Sequence, residues 1–336
     1  MALVIPVFIP HEGCPHRCLF CNQRRISGQV GATVRGDAVQ ETIDLWLARC
    51  RPERRQHAEV AFYGGSFTCL PQKRQLELLA AVQPFLVRRL VQNIRLSTRP
   101  DGIDAPALDL LARYRVATIE LGVQSCDDEV LTRSGRGHNS ATVALAAQLV
   151  RARGFRLGIQ LLPGLPGETF ASLRRTTATV IGLRPDFVRI YPALVLRDSG
   201  LARLYHQGGY RPLSLDRAVA QTAWMKKRFD AKGIEVVRMG LQPTADLERA
   251  LIAGPYHPAF GELVLSRLMF HTARKLLAKA GTDAPLTLVI AARDRSIFQG
   301  QHSANLHRLR RLGLDQHMVL RTDREQLRQT VRVGAG

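Results

Sequence analysis

At 336 residues, with 46% hydrophobic and 23% charged side chains and no low-complexity tract, the chain is long enough to bury a core of its own. That excludes a small disulfide-stapled scaffold and a disordered segment. Basic residues outnumber acidic ones 48 to 28, a formal charge of +20, which favours a polyanionic partner or substrate, nucleic acid above all. The apolar opening run, residues 2–10, lacks a basic leader and is too short to cross a bilayer, so neither a signal peptide nor a membrane span is expected, and the cytoplasm is the expected compartment.

Taken in chain order, short β-branched or apolar runs alternate with longer helical patterns up to about residue 240, the signature of a parallel sheet wrapped by helices. Strand candidates are Leu3–Ile9, Glu59–Tyr63, Asn93–Thr98, Thr118–Val123, Arg156–Leu162 and Asp186–Tyr191. Helices are expected over Asp37–Arg49, Lys73–Val87, Pro106–Tyr114, Ala141–Arg153, Glu168–Gly182 and Asp216–Lys232. Beyond Gln242 a Pro/Gly/His-bearing segment, 254–261, precedes a helix near Glu262–Ala280, a strand near Leu286–Ala291 and a basic tail. The expectation is an α/β partial (β/α)6-type barrel over residues 1–243 and a small C-terminal α+β domain over 244–336.

Three of the six cysteines, Cys14, Cys18 and Cys21, crowd into the loop after the first strand, which points to metal ligation in a reducing compartment. Their x3, x2 spacing lets one tight loop aim three thiolates at three corners of a [4Fe–4S] cluster and leaves the fourth iron open. A structural zinc site, with His11 or His16 as fourth ligand, fits the same spacing. The remaining Cys50, Cys69 and Cys126 stand apart in sequence and are expected to be buried apolar thiols.

Cys14-x3-Cys18-x-Phe20-Cys21 resembles the signature of the radical S-adenosylmethionine (SAM) superfamily, in which the aromatic residue borders the adenine. Tyr63-Gly64-Gly65-Ser66 resembles the glycine-rich motif that meets the amino group of SAM, where a backbone without Cβ can approach closely. The runs Ser97–Asp101, Glu120–Ser125, Arg136–His138, Pro163–Gly167 and Ile190–Pro192 recur in this order in the radical SAM domain of the Elongator catalytic subunit. The similarity covers about residues 4–243 and extends more loosely to the oxygen-independent coproporphyrinogen oxidases. It implies two cofactors, a [4Fe–4S] cluster and SAM, and an external reductant. It also implies SAM contacts from Gln124 and Arg136 to ribose and carboxylate and from Gln160 to the adenosine; Ser97 stands where a glutamate that binds the ribose is commoner, and being shorter it reaches the ribose through water or not at all.

The same resemblance makes reductive cleavage of SAM the expected activity and tRNA the favoured substrate class. Fewer than 100 residues follow position 243, too few for the acetyltransferase domain of the Elongator subunit, so a stand-alone protein is expected. A small-molecule or peptide substrate, and a non-catalytic metal-holding RNA-binding protein, are the alternatives. Tyr191, at the end of the sixth strand candidate beside Arg189, is the candidate catalytic residue, as a late proton or hydrogen-atom donor. Tyr256, His257 and Glu262 are candidates for a lid. Arg203, Arg211, Lys226 to Arg228, Arg308, Arg310 and Arg311 are candidate phosphate contacts if they share a face. No signature of a DNA-specific fold is present.

Overall fold

The structure is a computed structural model that describes residues 3–9, 13–22, 34–51, 57–280, 285–316 and 318–334. It divides into two compact units, residues 1–213 with 228–255 and residues 214–227 with 256–336. In the first unit the strands are β1 (Val4–Phe8), β2 (Glu59–Tyr63), β3 (Asn93–Thr98), β4 (Val116–Gln124), β5 (Arg156–Leu161), β6 (Phe187–Ile190), β7 (Val195–Leu196), β8 (Glu235–Met239) and β9 (Leu251–Ala253). Seven of them form one parallel sheet in the order β1-β2-β3-β4-β5-β6-β8. Neighbours in sequence are neighbours in the sheet, with helices as crossovers, which is the winding of a half-barrel.

The six expected strands are present, and β8 is a seventh that the sequence reading passed over. It is a five-residue run, Glu235-Val-Val-Arg-Met239, in which only Val236 is buried, so it carries a weak periodic signal and gains its place by pairing with β6. Helix starts are set by side-chain caps. Asp104, Asn139 and Thr169 accept hydrogen bonds from the backbone N–H groups of Ala107, Thr142 and Ser172, and start the helices Ala105–Arg113, Ser140–Ala152 and Phe170–Leu183. At Thr169 the cap is a reciprocal box with Ser172, which moves that start two residues past the expected Glu168.

The sheet has one apolar and one polar face. Ile5, Val60, Phe62, Ile94, Leu96, Ile119, Leu121, Leu157, Ile159 and Val188 are all at most 1% exposed and form the packed side. Glu59, Tyr63, Arg95, Glu120 and Arg189 share the other side, where their side chains contact one another.

The antiparallel pair β7–β9 ties residues 251–253 to 195–196, which keeps the chain with the first unit as far as Pro255, beyond the expected boundary at 243. In the second unit β10 (Leu286–Ala291) lies between a parallel β11 (Met318–Asp323) and an antiparallel β12 (Val331–Val333). Helices Phe260–Ala280, Arg295–Gln299 and Ala304–Arg311 complete it around Met269, Phe270, Leu288, Ile290, Phe298 and Leu309. The α+β composition stands, but the expected basic tail is folded. Buried Asp294 accepts from Arg328 Nε and from the Gln329 N–H, both at 2.5 Å, and so holds the segment before β12.

Gly158 lies on the polar side of β5, and a Cβ there would stand 2.4 Å from the ring of buried Phe187 and 3.0 Å from Glu120 Cγ. Gly158→Ala is therefore expected to destabilise the first unit by about 1–3 kcal/mol, read as a lower urea midpoint, because neither neighbour has room to yield.

Candidate active site

Catalytic groups in parallel α/β folds gather where strands end in loops, and the carboxyl edge of β1 to β6 carries the cysteine triplet, the glycine pair and the strand-end motifs of the resemblance. The cysteine loop follows β1 and rests on the turn after β2. A Cβ on Gly13, whose φ is +75°, would meet Ser66 O at 2.5 Å and Leu70 N at 2.9 Å, so only glycine allows this approach. Further along, the Leu19 N–H donates to Ser134 O at 3.0 Å, and Leu19 O accepts from Leu201 N at 2.7 Å. Gly137, φ +77°, leaves the space that the His16 ring fills.

Cys18 is buried and meets two guanidinium groups, Arg136 Nη1 at 3.4 Å and Arg99 Nη1 at 3.6 Å. Arg136 also donates to Gly122 O, on β4, and Arg99 donates to Arg136 O, so the two arginines join the cysteine loop to the ends of β3 and β4. Arg99 is held in turn by Asp101, with contacts from Nε at 2.9 Å and Nη2 at 3.0 Å. Burial alone would raise the Asp101 carboxyl; the His138 imidazole and the Arg99 guanidinium outweigh it and hold the carboxyl well below the usual range. Burial pushes the Cys14 thiol up, against the pull of Arg99.

Gln124 ends β4 at φ +71°, a left-handed conformation that is uncommon outside glycine, next to a register shift against β5. Its Oε1 accepts from Gln160 Nε2 at 3.4 Å. The structure thus brings Cys18, Gln124, Arg136 and Gln160 together at adjacent strand ends. Gly64, at φ +92°, turns the chain after β2, and Gly65 follows it. The Ser66 hydroxyl is taken up inside the fold, accepting from the Arg99 N–H at 3.1 Å and lying 3.2 Å from Thr98 Oγ1. Ser97 pairs in register with Glu120 on the polar face. Phe20 and Tyr191 pack against one apolar cluster of Val130, Leu162, Leu165 and Ala193, and the Tyr191 hydroxyl accepts from Arg189 Nη1 at 3.3 Å.

Several residues enter the site that the sequence reading gave no role. Arg99, Asp101 and His138 belong to the contacts around Cys18. Cys69 lies beside the cysteine loop, its Sγ 3.4 Å from Ser66 Oγ and its backbone under Gly13. Below them, Glu120 is 4% exposed and pairs with Arg189 at 2.7 Å and Arg95 at 3.1 Å, while Arg95 also pairs with Glu59 at 2.6 Å. The Tyr63 hydroxyl joins Glu120 at 3.3 Å. Charged residues inside otherwise apolar parallel strands were the available signal, because a sheet covered on both faces reads as continuous apolar runs.

Of the zinc-ligand candidates, His11 lies outside the described residues, and His16 is engaged with Asp101, Nε2 to Oδ2 at 3.7 Å. Among the described residues no three His, Cys, Asp or Glu side chains close on a common centre. The donor set still suits an iron–sulfur cluster: three thiols on one loop, none in a disulfide, with two cations beside Cys18 to offset thiolate charge. His257 is committed inside the second unit, accepting from the Ala259 N–H and lying 3.0 Å from Gln301 Nε2. Among the described residues no helix is long and apolar enough to cross a membrane.

A sequence profile of the Radical SAM superfamily matches residues 8–180, and one of the Radical_SAM C-terminal domain matches residues 185–269. The chain belongs to the radical SAM superfamily. This radical SAM chain is similar to tRNA uridine(34) acetyltransferase of Methanocaldococcus infernus, 25% identical over 263 residues, 66% of this chain and 49% of that protein. It is similar also to protein YhcC of Escherichia coli strain K12, 26% identical over 215 residues, 60% of this chain and 67% of that protein. The chain spans about half to two thirds of the length of these relatives. Among solved structures, the archaeal Methanocaldococcus infernus Elp3 with an N-terminal deletion superposes with a TM-score of 0.61 at 19% identity, covering 83% of this chain and 63% of that one. Coproporphyrinogen III oxidase from Escherichia coli gives 0.50 at 20% identity, covering 69% and 53%. These two share the radical SAM fold with this chain.

Beside the strand ends, the Pro163–Gly167 loop borders a cavity of about 450 Å³ lined by Arg133, Glu168, Tyr210 and Arg211, among others. Tyr210 Oη donates to Gly164 O at 2.6 Å, and the Gly164 N–H donates to Glu168 Oε2 at 2.5 Å. Burial pushes the Glu168 carboxyl up to about 8. The folded state thus binds the proton more tightly than the unfolded chain does, where a glutamate titrates near about 4.3. The stability it contributes is present in full below about pH 4 and is lost as pH rises through the folded value. Glu168→Gln removes this loss. Compared by thermal melts, the variant is expected to gain about 1–3 kcal/mol on the native protein between pH 5 and pH 8, and equal gaps at both pH values would refute the assignment.

Proposed function

We propose that this chain is an enzyme that cleaves S-adenosylmethionine reductively at a [4Fe–4S] cluster held by Cys14, Cys18 and Cys21, and that its substrate is tRNA. Cys14, Cys18 and Cys21 would hold the cluster, and the chemistry it would supply is one-electron reduction of the SAM sulfonium, giving methionine and a radical that could abstract hydrogen. The observation that carries the reading is Arg136, which touches Cys18 Sγ and the Gly122 carbonyl at once and so links the thiol loop to the strand end where Gln124 is held at positive φ.

In this reading the chain's own residues bind and orient. Arg136 faces the SAM carboxylate and Gln124 the ribose, with Gln160 positioning the Gln124 amide. The turn at Gly64 and Gly65 offers backbone to the methionine amino group, the Ser66 hydroxyl serves the fold rather than the ligand, and Phe20 borders the adenine. Arg99 sets Arg136 by donating to its carbonyl, and Asp101 sets Arg99. Tyr191, its hydroxyl accepting from Arg189, stands as donor of a proton or hydrogen atom to the substrate. An external reductant supplies the electron. Support for tRNA comes from the charge of +20 and from the likeness to archaeal tRNA uridine(34) acetyltransferases, and the cytoplasm is the compartment that such a substrate implies.

The test is anaerobic incubation of iron-reconstituted protein with SAM and dithionite, with and without bulk tRNA, following 5′-deoxyadenosine by mass spectrometry. The expected outcome is production that bulk tRNA raises several-fold and that Cys18→Ala reduces to background. Production indifferent to tRNA would remove the substrate assignment and leave the radical chemistry. One zinc per chain and no iron in anaerobically purified protein, with no 5′-deoxyadenosine, would overturn the whole reading.

A further inference from the structure

Within the second unit, helix Phe260–Ala280 carries Arg267, His271 and Arg274 at spacings of four and three, which lays them along one face. A second helix, Ala304–Arg311, brings Arg308 over the ring of Phe270 at 5.2 Å, and that ring stands edge-on to His271 at 5.5 Å. Arg308 therefore reaches the same stripe. Lys227, from helix Leu215–Asp230, adds another positive charge acting on His271. The imidazole is held below its ordinary range by burial first and then by Arg267, Arg274, Arg308 and Lys227.

None of these four cations has an ion-pair partner among the described residues, whereas Arg95, Arg99, Arg189 and Arg328 are each paired with a carboxylate. Lys227, Arg274 and Arg308 are exposed, and Arg267 is half-buried. The helix macrodipole accounts for cations in the last turn of Ala304–Arg311, but not for Arg267 and Arg274, which stand in the middle of a helix. Unpaired like charges gathered on three helices repel one another, and their physical complement is a polyanion.

We propose that Lys227, Arg267, Arg274 and Arg308 form a docking surface for the phosphate backbone of RNA. The surface lies in the second unit and is made of residues separate from those placed at the SAM site; its choice of RNA rests on the tRNA reading above. Three of the four cations are arginines, whose planar fork suits phosphate oxygens, and the Arg308 guanidinium is already stacked on an aromatic ring. A bilayer is the poorer complement, because surface-binding helices interleave exposed apolar anchors with their cations. Helices Phe260–Ala280 and Leu215–Asp230 expose no large hydrophobic side chain.

Fluorescence anisotropy of full-length protein with fluorescein-labelled bulk tRNA, across about 50–200 mM salt, tests the surface. The triple variant Arg267→Gln, Arg274→Gln, Arg308→Gln is expected to bind at least about tenfold more weakly and to lower the slope of log affinity against log salt by about two to three. A control with the same loss of charge at exposed positions of the first unit, Arg88→Gln, Arg113→Gln, Arg174→Gln, should weaken binding less than about threefold. Equal losses in the two triples, no loss in the first, or no tRNA binding by the native protein overturns the proposal. So does dependence on these residues for phosphatidylserine vesicles and not for tRNA. Circular dichroism melts check folding, and should the first triple not fold, Lys227→Gln and Arg274→Gln each should lower the slope by about one. Formation of 5′-deoxyadenosine by the native protein without RNA stands or falls separately, so loss of the surface and loss of the radical reading are told apart.

Discussion

Two carboxylates and two guanidinium groups neutralise one another inside the half-barrel, and the site above them rests on that balance. Glu59, Arg95, Glu120 and Arg189 come from four strands, β2, β3, β4 and β6, spread over 130 residues of chain, and their net charge is zero. A charge buried without its partner costs several kcal/mol, so the four are held in one register or none. Glu120 sits at the centre, facing both arginines and the Tyr63 hydroxyl. The pairing fixes how β2, β3, β4 and β6 line up, and with them the loops that leave their carboxyl ends.

Above this layer the polar groups change from mutual pairing to reaching outward. Arg99 and Arg136 are more buried than the arginines below, yet part of their contact is with a thiol and with backbone carbonyls, partners weaker than a carboxylate. Arg136 Nε has no hydrogen-bond partner among the described residues. A buried guanidinium with unspent donors is a place where an anionic ligand gains most, since it meets a desolvated charge already in position. Glycines complete the arrangement where a side chain would block it, at Gly13 under the cysteine loop and at Gly64 after β2.

In the second unit some charges are paired, as Arg310, Arg328 and Arg332 are, and others are not. Buried Asp294 and Asn305 are satisfied within the unit, whereas Arg267, Arg274 and Arg308 have no ion-pair partner among the described residues. A positive balance of 48 to 28 is therefore not spread evenly as solvation; part of it is gathered on one set of helices.

The alternation of strand and helix, the cysteine triplet, the glycine pair after β2 and the polar residues at strand ends were all legible in the sequence, because each depends on neighbours a few residues away. Six of the seven sheet strands showed themselves by apolar runs, and the Cys14, Cys18, Cys21 spacing pointed to a metal before any fold was known. Tertiary structure alone decided the rest. It placed Arg99 and Arg136 on Cys18, across more than 80 residues of chain in each case, put Cys69 beside the loop, and took the Ser66 hydroxyl into the fold. It also recruited β8, folded the basic tail around Asp294, and brought Arg308 to Arg267 and Arg274. Local periodicity carries the burial of a segment, but which charge meets which partner depends on contacts between strands and helices distant in sequence, and only the packed sheet and its crossovers fix those.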